Sequence, residues 1–251
     1  MLSKNQIKFV NSLKQKKFRD EHGYFIAEGT KIVPELLSSE IEVLQVYAGE
    51  WFISGHAIGK GVECIEIKPS ELERISALST PNEVLAVCRI PEYQLERKKL
   101  EKKLTIVLDD IRDPGNLGTI IRIADWFGIT DVICSNASAD AFNPKVVQSS
   151  MGSIARVKIH YTDLAEFLSD AETTVYGALL EGKNIYSEKL SSEGMIVIGN
   201  ESKGISEAVQ KFVTHKISIP SFSHFKPGGG EAESLNAAVA TAVICSEFRR
   251  R

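Results

Sequence analysis

The sequence predicts an α/β protein in two parts: a small front domain, and a larger second domain built on a mostly parallel sheet. Three observations carry this. Short apolar runs such as Leu104–Asp109 and Met195–Gly199 alternate with helical patterns, as strands do when crossover helices bury both of their faces. A charge-dense stretch, PEYQLERKKLEKK over Pro91–Lys103, interrupts the alternation and reads as an exposed linker. The 251 residues, 43% hydrophobic, suffice for one large core or two smaller ones.

In the front domain, residues 1–90, Asn5–Lys16 sets Ile7, Val10 and Leu13 at helical spacing. Tyr24–Ala27 is a short strand. Gly29–Ser38 is a helix with Ile32, Val33, Leu36 and Leu37 on one side, where Pro34 is tolerable only in the first turn. Val43–Tyr47, Val62–Ile67 and Val84–Arg89 read as strands, and Pro69–Leu78 as a helix opened by proline. Beyond the linker 91–103, the second domain spans 104–251. Its strands are Leu104–Asp109, Asp131–Cys134, Ile154–Ile159, Val175–Leu180, Met195–Gly199 and Lys216–Ile219. Its helices are Thr119–Phe127, Lys145–Ser150, Leu164–Ser169, Ser206–Phe212 and Leu235–Phe248. Ligands of such sheets sit beyond the carboxyl ends of the strands, so the loops there are where chemistry is expected.

Composition excludes several classes. No run of about 18 uncharged apolar residues exists to span a membrane. The first twenty residues are too polar for a secretory signal, so the expected location is the cytosol. Cys64, Cys88, Cys134 and Cys245 stand far apart without a CxxC pair; they read as buried reduced thiols rather than zinc ligands or disulfides. The carboxylates show no ligand-like cluster, and no metal is expected. The net charge of −3 names no polyanionic partner, but its distribution is uneven. Lys4, Lys8, Lys14, Lys16, Lys17 and Arg19 precede any acidic residue. They form either a phosphate-binding patch or a solvated helix face.

Three loops carry the functional signal. In LDDIRDPGNLGTIIRIADWFG, residues 108–128, a strand ends, a Pro-Gly-Asn-Leu-Gly turn follows and a helix begins. Asn116 is a cap candidate. Arg122, read as lying in the first helical turn, opposes the helix dipole and could hold a phosphate or a ribose oxygen. In MIVIGNESKGIS, residues 195–206, an apolar strand runs into Gly199, which lets a ligand approach the backbone, then Asn200 and Glu201. In residues 217–248 a strand ends at Ile219–Pro220, a Gly-rich loop Ser221–Glu233 follows, and Ser234 is placed to cap a helix of small residues.

Together, DPGNLGTIIRIADWFG, IGNESKGIS and IP…ESLNAAVA resemble, in order and spacing, the three motifs of the SpoU (TrmH) class of RNA ribose 2′-O-methyltransferases within the SPOUT superfamily. The match runs from about residue 104 to the end. FIAEGTKIVPELL in the front domain resembles the L30e-like RNA substrate-binding domain often fused to it. The resemblance implies a deep trefoil knot in the second domain and S-adenosylmethionine bound in it, with Leu179, Gly199, Ile219 and Leu235 as cofactor contacts. It places Asn116, Arg122, Glu201, Ser234 and Asn236 at the reacting end. It implies a homodimer through the second domain, with Trp126 and the 235–248 helix at the interface. The loop between Pro220 and Ser234 is longer than the family's and contains His224 and Lys226.

Methyl transfer to a ribose 2′-hydroxyl, most naturally in ribosomal RNA, is the expected activity. Transfer RNA as substrate, and a non-catalytic RNA-binding protein on the same scaffold, are the alternatives. A dinucleotide-dependent oxidoreductase would need a GxGxxG after an early strand, which is absent. The matched motifs contain no His or Cys. Arg122, nearly always charged, therefore reads as a stabiliser of the developing oxyanion and of phosphate. Arg97, Lys98, Lys99, Lys102 and Lys103 of the linker would add phosphate contacts.

Overall fold

Ser3 starts the first helix with a capping box. Its hydroxyl accepts from the Gln6 N–H, and the Gln6 side chain accepts from the Ser3 N–H. The computed structural model describes residues 2–222 and 234–250. The sequence predicts one helix over Asn5–Lys16, but the structure has two, α1 (Lys4–Ser12) and α2 (Lys16–His22). The break arises because the Arg19 guanidinium donates to the Leu13 carbonyl at 2.8 Å, which satisfies an acceptor that continued helix would have used. Gly23, at φ +71°, ends α2 in a left-handed cap. Then come β1 (Tyr24–Glu28), α3 (Ile32–Leu37, with Pro34 in its first turn), β2 (Val43–Ala48), α4 (Glu50–Gly55), β3 (Glu63–Glu66), α5 (Pro69–Leu72) and β4 (Val84–Arg89). The sheet order is β1-β4-β2-β3, with β4 antiparallel to both neighbours and β3 parallel to β2. Helix α4 was not foreseen, since EWFISG buries only Phe52 and shows no apolar period. Val10 and Leu13 pack against Ile26, Tyr47, Leu72, Ile75 and Leu85; each such burial is worth about 1.5–3 kcal/mol.

The rest of the chain runs α6 (Arg97–Leu100), β5 (Leu104–Leu108), α7 (Pro114–Trp126), β6 (Asp131–Ser135), α8 (Pro144–Ser150), β7 (Lys158–Thr162), α9 (Leu164–Ser169), β8 (Val175–Asn184), β9 (Gly194–Ile198), α10 (Glu207–Gln210), β10 (His215–Ser218) and α11 (Ala237–Arg249). Six strands form one sheet in the order β10-β8-β9-β5-β6-β7, and every pairing is parallel. One face packs Val107, Ile133 and Val197 against Leu164, Phe167 and Val209. The other carries Tyr176, whose ring meets Phe248 of α11 edge-on. The strand expected at Ile154–Ile159 begins at Lys158 instead, because Ser153–Ala155 closes a 3-10 turn. The helices expected over Pro69–Leu78 and Ser206–Phe212 are each one turn long. No helix among the described residues is long and apolar enough to cross a membrane.

By contacts the chain divides into two compact units, Met1–Glu92 with Asp140–Arg156, and Tyr93–Ala139 with Val157–Arg251. In the first, α8 packs on β1, Phe25 meets Phe142 with ring centroids 4.9 Å apart, and Arg19 donates twice to Asp140 at 2.6 and 3.0 Å. Arg19 is only 1% exposed. It is therefore not part of a phosphate patch, as its place in the basic segment had suggested; its charge is spent inside the fold. Lys14 is likewise engaged, donating to the Ser76 carbonyl, whereas Lys4, Lys8, Lys16 and Lys17 are exposed. Of the cysteines, Cys64 is exposed, contrary to expectation, because β3 is an edge strand with little cover. Burial pushes the Cys88 and Cys134 thiols far up and Cys245 to about 12.

Removing one partner of a buried ion pair leaves the other unpaired in a poor solvent, at about 3–5 kcal/mol. Arg19→Ala should lower the unfolding free energy by that amount in urea titrations, while the exposed Lys17→Ala changes it by under about 0.5 kcal/mol.

A second buried polar group sits at the opposite end of the large sheet from the loops described below. Burial would raise the Asp131 carboxyl, but hydrogen bonds from His160 and Thr130, with the Lys103 charge, outweigh it and hold the pKa below its ordinary value. A carboxyl depressed in the folded state stabilises fully above its unfolded pKa, near 4, and loses that contribution as pH falls through the folded value. Asp131→Asn should thus cost about 1–3 kcal/mol at pH 7, and the gap to wild type should narrow below about pH 4 when both are unfolded in urea across pH.

Candidate active site

The loops that carry the motifs meet where β5 and β9 end side by side. Asp109, just past β5, is buried; its N–H donates to the Ile198 carbonyl and its carboxylate accepts from the Ser206 N–H at 2.7 Å. Asp110 follows at φ +59°, a strained conformation for a non-glycine residue. It is held by its N–H on the Ser135 hydroxyl and by the Asn200 amide on its carbonyl, each at 2.9 Å. Asn200 also folds its own loop: its side-chain oxygen accepts from the N–H groups of Ser202 and Lys203, and its backbone bridges Gly204. That return brings the loop onto Gly199. A Cβ there would lie 2.2 Å from the Gly204 carbonyl carbon and 2.3 Å from the Ile205 nitrogen. The residue must be glycine because the loop's own backbone occupies that side, not only because a ligand approaches.

Helix α7 begins at Pro114, five residues before the expected Thr119, because Asp113 caps it by accepting from the Asn116 N–H at 2.8 Å and proline suits the first helical position. Arg122 is consequently the ninth of 13 residues, and the dipole conflict inferred from a later start does not exist. Asn116 faces the loop after β9. Its amide donates to the Glu201 carboxylate at 2.5 Å, and its oxygen accepts from the Asn236 amide at 2.9 Å. Asn236, rather than Ser234, caps α11, accepting from the N–H groups of Ala238 and Val239. Ser234 instead donates to the Glu201 carbonyl at 3.4 Å. Four of the five residues expected at the reacting end thus join into one hydrogen-bonded string across three loops. Arg122 is not in it. It lies about 9 Å along the helix from Asn116 and about 120° round, exposed, with no hydrogen bond or ion pair to a described residue.

Beside this string opens a cavity of about 490 Å³, within the range of small-molecule sites. Leu179, Gly199, Ile219 and Leu235 all line it, as do Glu201 and Ser234. Sequence reasoning missed Gln210, Lys203 and Lys216 at its wall: Gln210 and Lys216 lie outside the motifs, and Lys203 lies within IGNESKGIS but was not singled out there. Among the described residues, no His or Cys lines it. Among the described residues no group of three His, Cys, Asp or Glu is placed to hold a metal ion. His224 and Lys226 lie outside the described residues. Of the linker cations, Arg97 pairs with Asp170, Lys99 with Glu96 and Lys103 with Asp131, while Lys98 and Lys102 are exposed.

The site is thus a cavity beside a carboxylate–amide string, set at the carboxyl ends of an all-parallel sheet. The chain belongs to the SpoU rRNA methylase family, which it matches over residues 103–246. Residues 4–86 match the MRM3-like substrate binding domain. A relative from Bacillus subtilis, the 23S rRNA (guanosine(2553)-2′-O)-methyltransferase RlmP, is 30% identical over 98% of this chain and 97% of its own. A solved structure from Porphyromonas gingivalis, assigned to the TrmH family of RNA methyltransferases, superposes with a TM-score of 0.89 at 38% identity over 100% of this chain and 99% of its own. An AdoMet-bound rRNA methyltransferase from Sinorhizobium meliloti superposes at 0.86, with 27% identity over 100% and 96%.

A methyl group at position 199 has no space unless the Gly204–Ile205 backbone moves. Gly199→Ala should cost about 1–3 kcal/mol of stability by chemical denaturation, whereas Gly128→Ala, whose Cβ would meet nothing within 4 Å at φ +65°, should lose only the smaller penalty of its backbone conformation.

Proposed function

We propose that the protein transfers a methyl group from S-adenosylmethionine to a ribose 2′-hydroxyl of ribosomal RNA. The observation that carries this is the Glu201–Asn116–Asn236 string at the rim of a cavity lined by all four cofactor candidates. The cavity's chemistry fits the cofactor: apolar walls from Leu179, Ile198 and Ile219 suit a nucleoside, and the Glu201 carboxylate stands at the rim for a positive charge. S-adenosylmethionine supplies a methyl carbon bonded to cationic sulfur. Leu179, Gly199, Ile219 and Leu235 would hold it. Asn116 and Asn236 keep Glu201 and the ribose site in fixed geometry, which matters because in-line displacement depends on alignment. Ser234 braces the Glu201 backbone.

Arg122 carries a planar guanidinium. Its role is to stabilise the oxygen as its proton leaves and to place a phosphate. Since it points away from the string of its own chain, we infer that it serves the cavity of a second copy in a homodimer. The support is exposed apolar side chains on two neighbouring helices: Trp126, 84% exposed, at the end of α7, and Leu235 and Val239 at the start of α11. The remaining assignments are residues 1–90 as the RNA-binding domain, 91–103 as linker and 104–251 as the catalytic domain threaded as a trefoil knot, acting in the cytoplasm. The family matches over 4–86 and 103–246 support the domain division, and the rRNA-directed Bacillus subtilis relative, aligned over nearly the whole chain, supports ribosomal over transfer RNA.

The test is methyl transfer from radiolabelled cofactor to ribosomal RNA lacking the modification, with calorimetry of cofactor binding beside it. Arg122→Ala should lose on the order of 100- to 1,000-fold in rate with cofactor affinity within about twofold. Near-normal rate in the variant removes Arg122 from the mechanism. Cofactor binding without transfer to any RNA by the wild type makes the protein a binding module.

A further inference from the structure

The front unit holds a second cavity, of about 370 Å³, lined by none of the residues of the three motif loops. Its floor is Phe52, Ile67 and Leu72, and its open wall is Trp51. Phe52 is buried and stacks on His56 with ring centroids 4.0 Å apart, while the His56 ring nitrogen sits 2.9 Å from the Phe52 carbonyl. His56, the residue that ends α4, thus folds back on the helix's own Phe52, and it also meets the Trp51 ring edge-on at 6.2 Å; Trp51 is 66% exposed. A large indole left in water beside a preformed apolar hollow is a surface prepared for a flat partner. The polar side chains of the rim are Lys68, Glu73, Thr80 and Glu83. The side chains of Glu73 and Glu83 make no hydrogen bond or ion pair with a described residue. Glu83 also carries φ +48°, an outlier that a surface loop would shed unless held, and one of the sort that collects at ligand sites.

We propose that this pocket takes an unpaired guanine base of the RNA substrate, stacked on Trp51. The proposal rests on the RNA reading above. Stacking on an aromatic face is how proteins hold unpaired bases, and it suits any base. The rim selects among them. Unpartnered carboxylates only accept hydrogen bonds. Guanine presents two adjacent donors, N1–H and the N2 amine, which match two carboxylate oxygens, whereas adenine and cytosine offer one amine and uracil one N–H. Lys68 is the cation available to the attached phosphate. The domain match of residues 4–86, described as substrate binding, concerns the same unit.

The experiment saturates the full-length protein with S-adenosylhomocysteine, so that the nucleoside cavity is filled, and titrates GMP, AMP, UMP and N-acetylarginine amide while tryptophan fluorescence is read in wild type and in Trp51→Ala. Expected is saturable quenching, absent from Trp51→Ala, with GMP acting at least about fivefold below AMP and UMP, and loss of that preference in Glu73→Gln/Glu83→Gln. In parallel, Trp51→Ala should weaken binding to the RNA substrate about 5- to 100-fold, the range expected for one stacked base, with Trp51→Phe restoring most of it and S-adenosylhomocysteine affinity unchanged in both. No Trp51-dependent quenching, equal response to the nucleotides, or a stronger response to the arginine amide overturns the proposal, the last in favour of a basic peptide. Because the titration needs no turnover, absence of methyl transfer would sink the catalytic reading while leaving this one readable, and an active enzyme blind to GMP would do the reverse.

Discussion

The second domain depends on one hydrogen-bonded string. Glu201 comes from the loop after β9, Asn116 from the first turn of α7 and Asn236 from the cap of α11. No two of these are within thirty residues of each other in the chain, yet each spends its polar groups on the next. Asn236 does two tasks, opening α11 with its side-chain oxygen and reaching Asn116 with its amide nitrogen. A partly buried carboxylate needs donors, and Asn116 supplies one without adding a charge. The cavity beside it thus has a positioned carboxylate at its rim.

The front unit is held by a different device. Its buried cation, Arg19, is neutralised by Asp140, 121 residues away, and the segment around Asp140 covers β1 with α8 and Phe142. A stretch that the family match assigns to the methylase region therefore belongs, by packing, to the unit that begins the chain. The physical cause is elementary. An arginine fully removed from water is tolerable only with a paired carboxylate, and within the first 92 residues Arg19 finds a backbone carbonyl, Leu13, but no carboxylate.

Much of the second domain was legible beforehand, because parallel strands buried on both faces leave unbroken apolar runs and the three motifs lie where those runs end. Leu179, Gly199, Ile219 and Leu235 were named from a motif resemblance and do line one cavity. Errors concentrated where local pattern and tertiary demand differ. The start of α7 was set too late because Gly115 and Gly118 mask the helical period. The cap of α11 was given to Ser234 because serine is as good a cap as asparagine, and only the position of Asn116 decides between them. Helix α4 was too short to show a period.

What the sequence by itself determined is the alternation of elements, the family, and the residue types at the carboxyl ends of β5, β9 and β10. These follow from spacing and from side-chain chemistry, which are properties of neighbours along the chain. Only the tertiary structure decided which cations are free and which are spent, since a pairing such as Arg19 with Asp140 depends on distance in space. It alone decided that Arg122 stands apart from the string that Asn116 joins, since their separation around α7 depends on where the helix starts. And it alone set Trp51 over a hollow, because exposure is a property of the packed whole and leaves no mark on the residue itself.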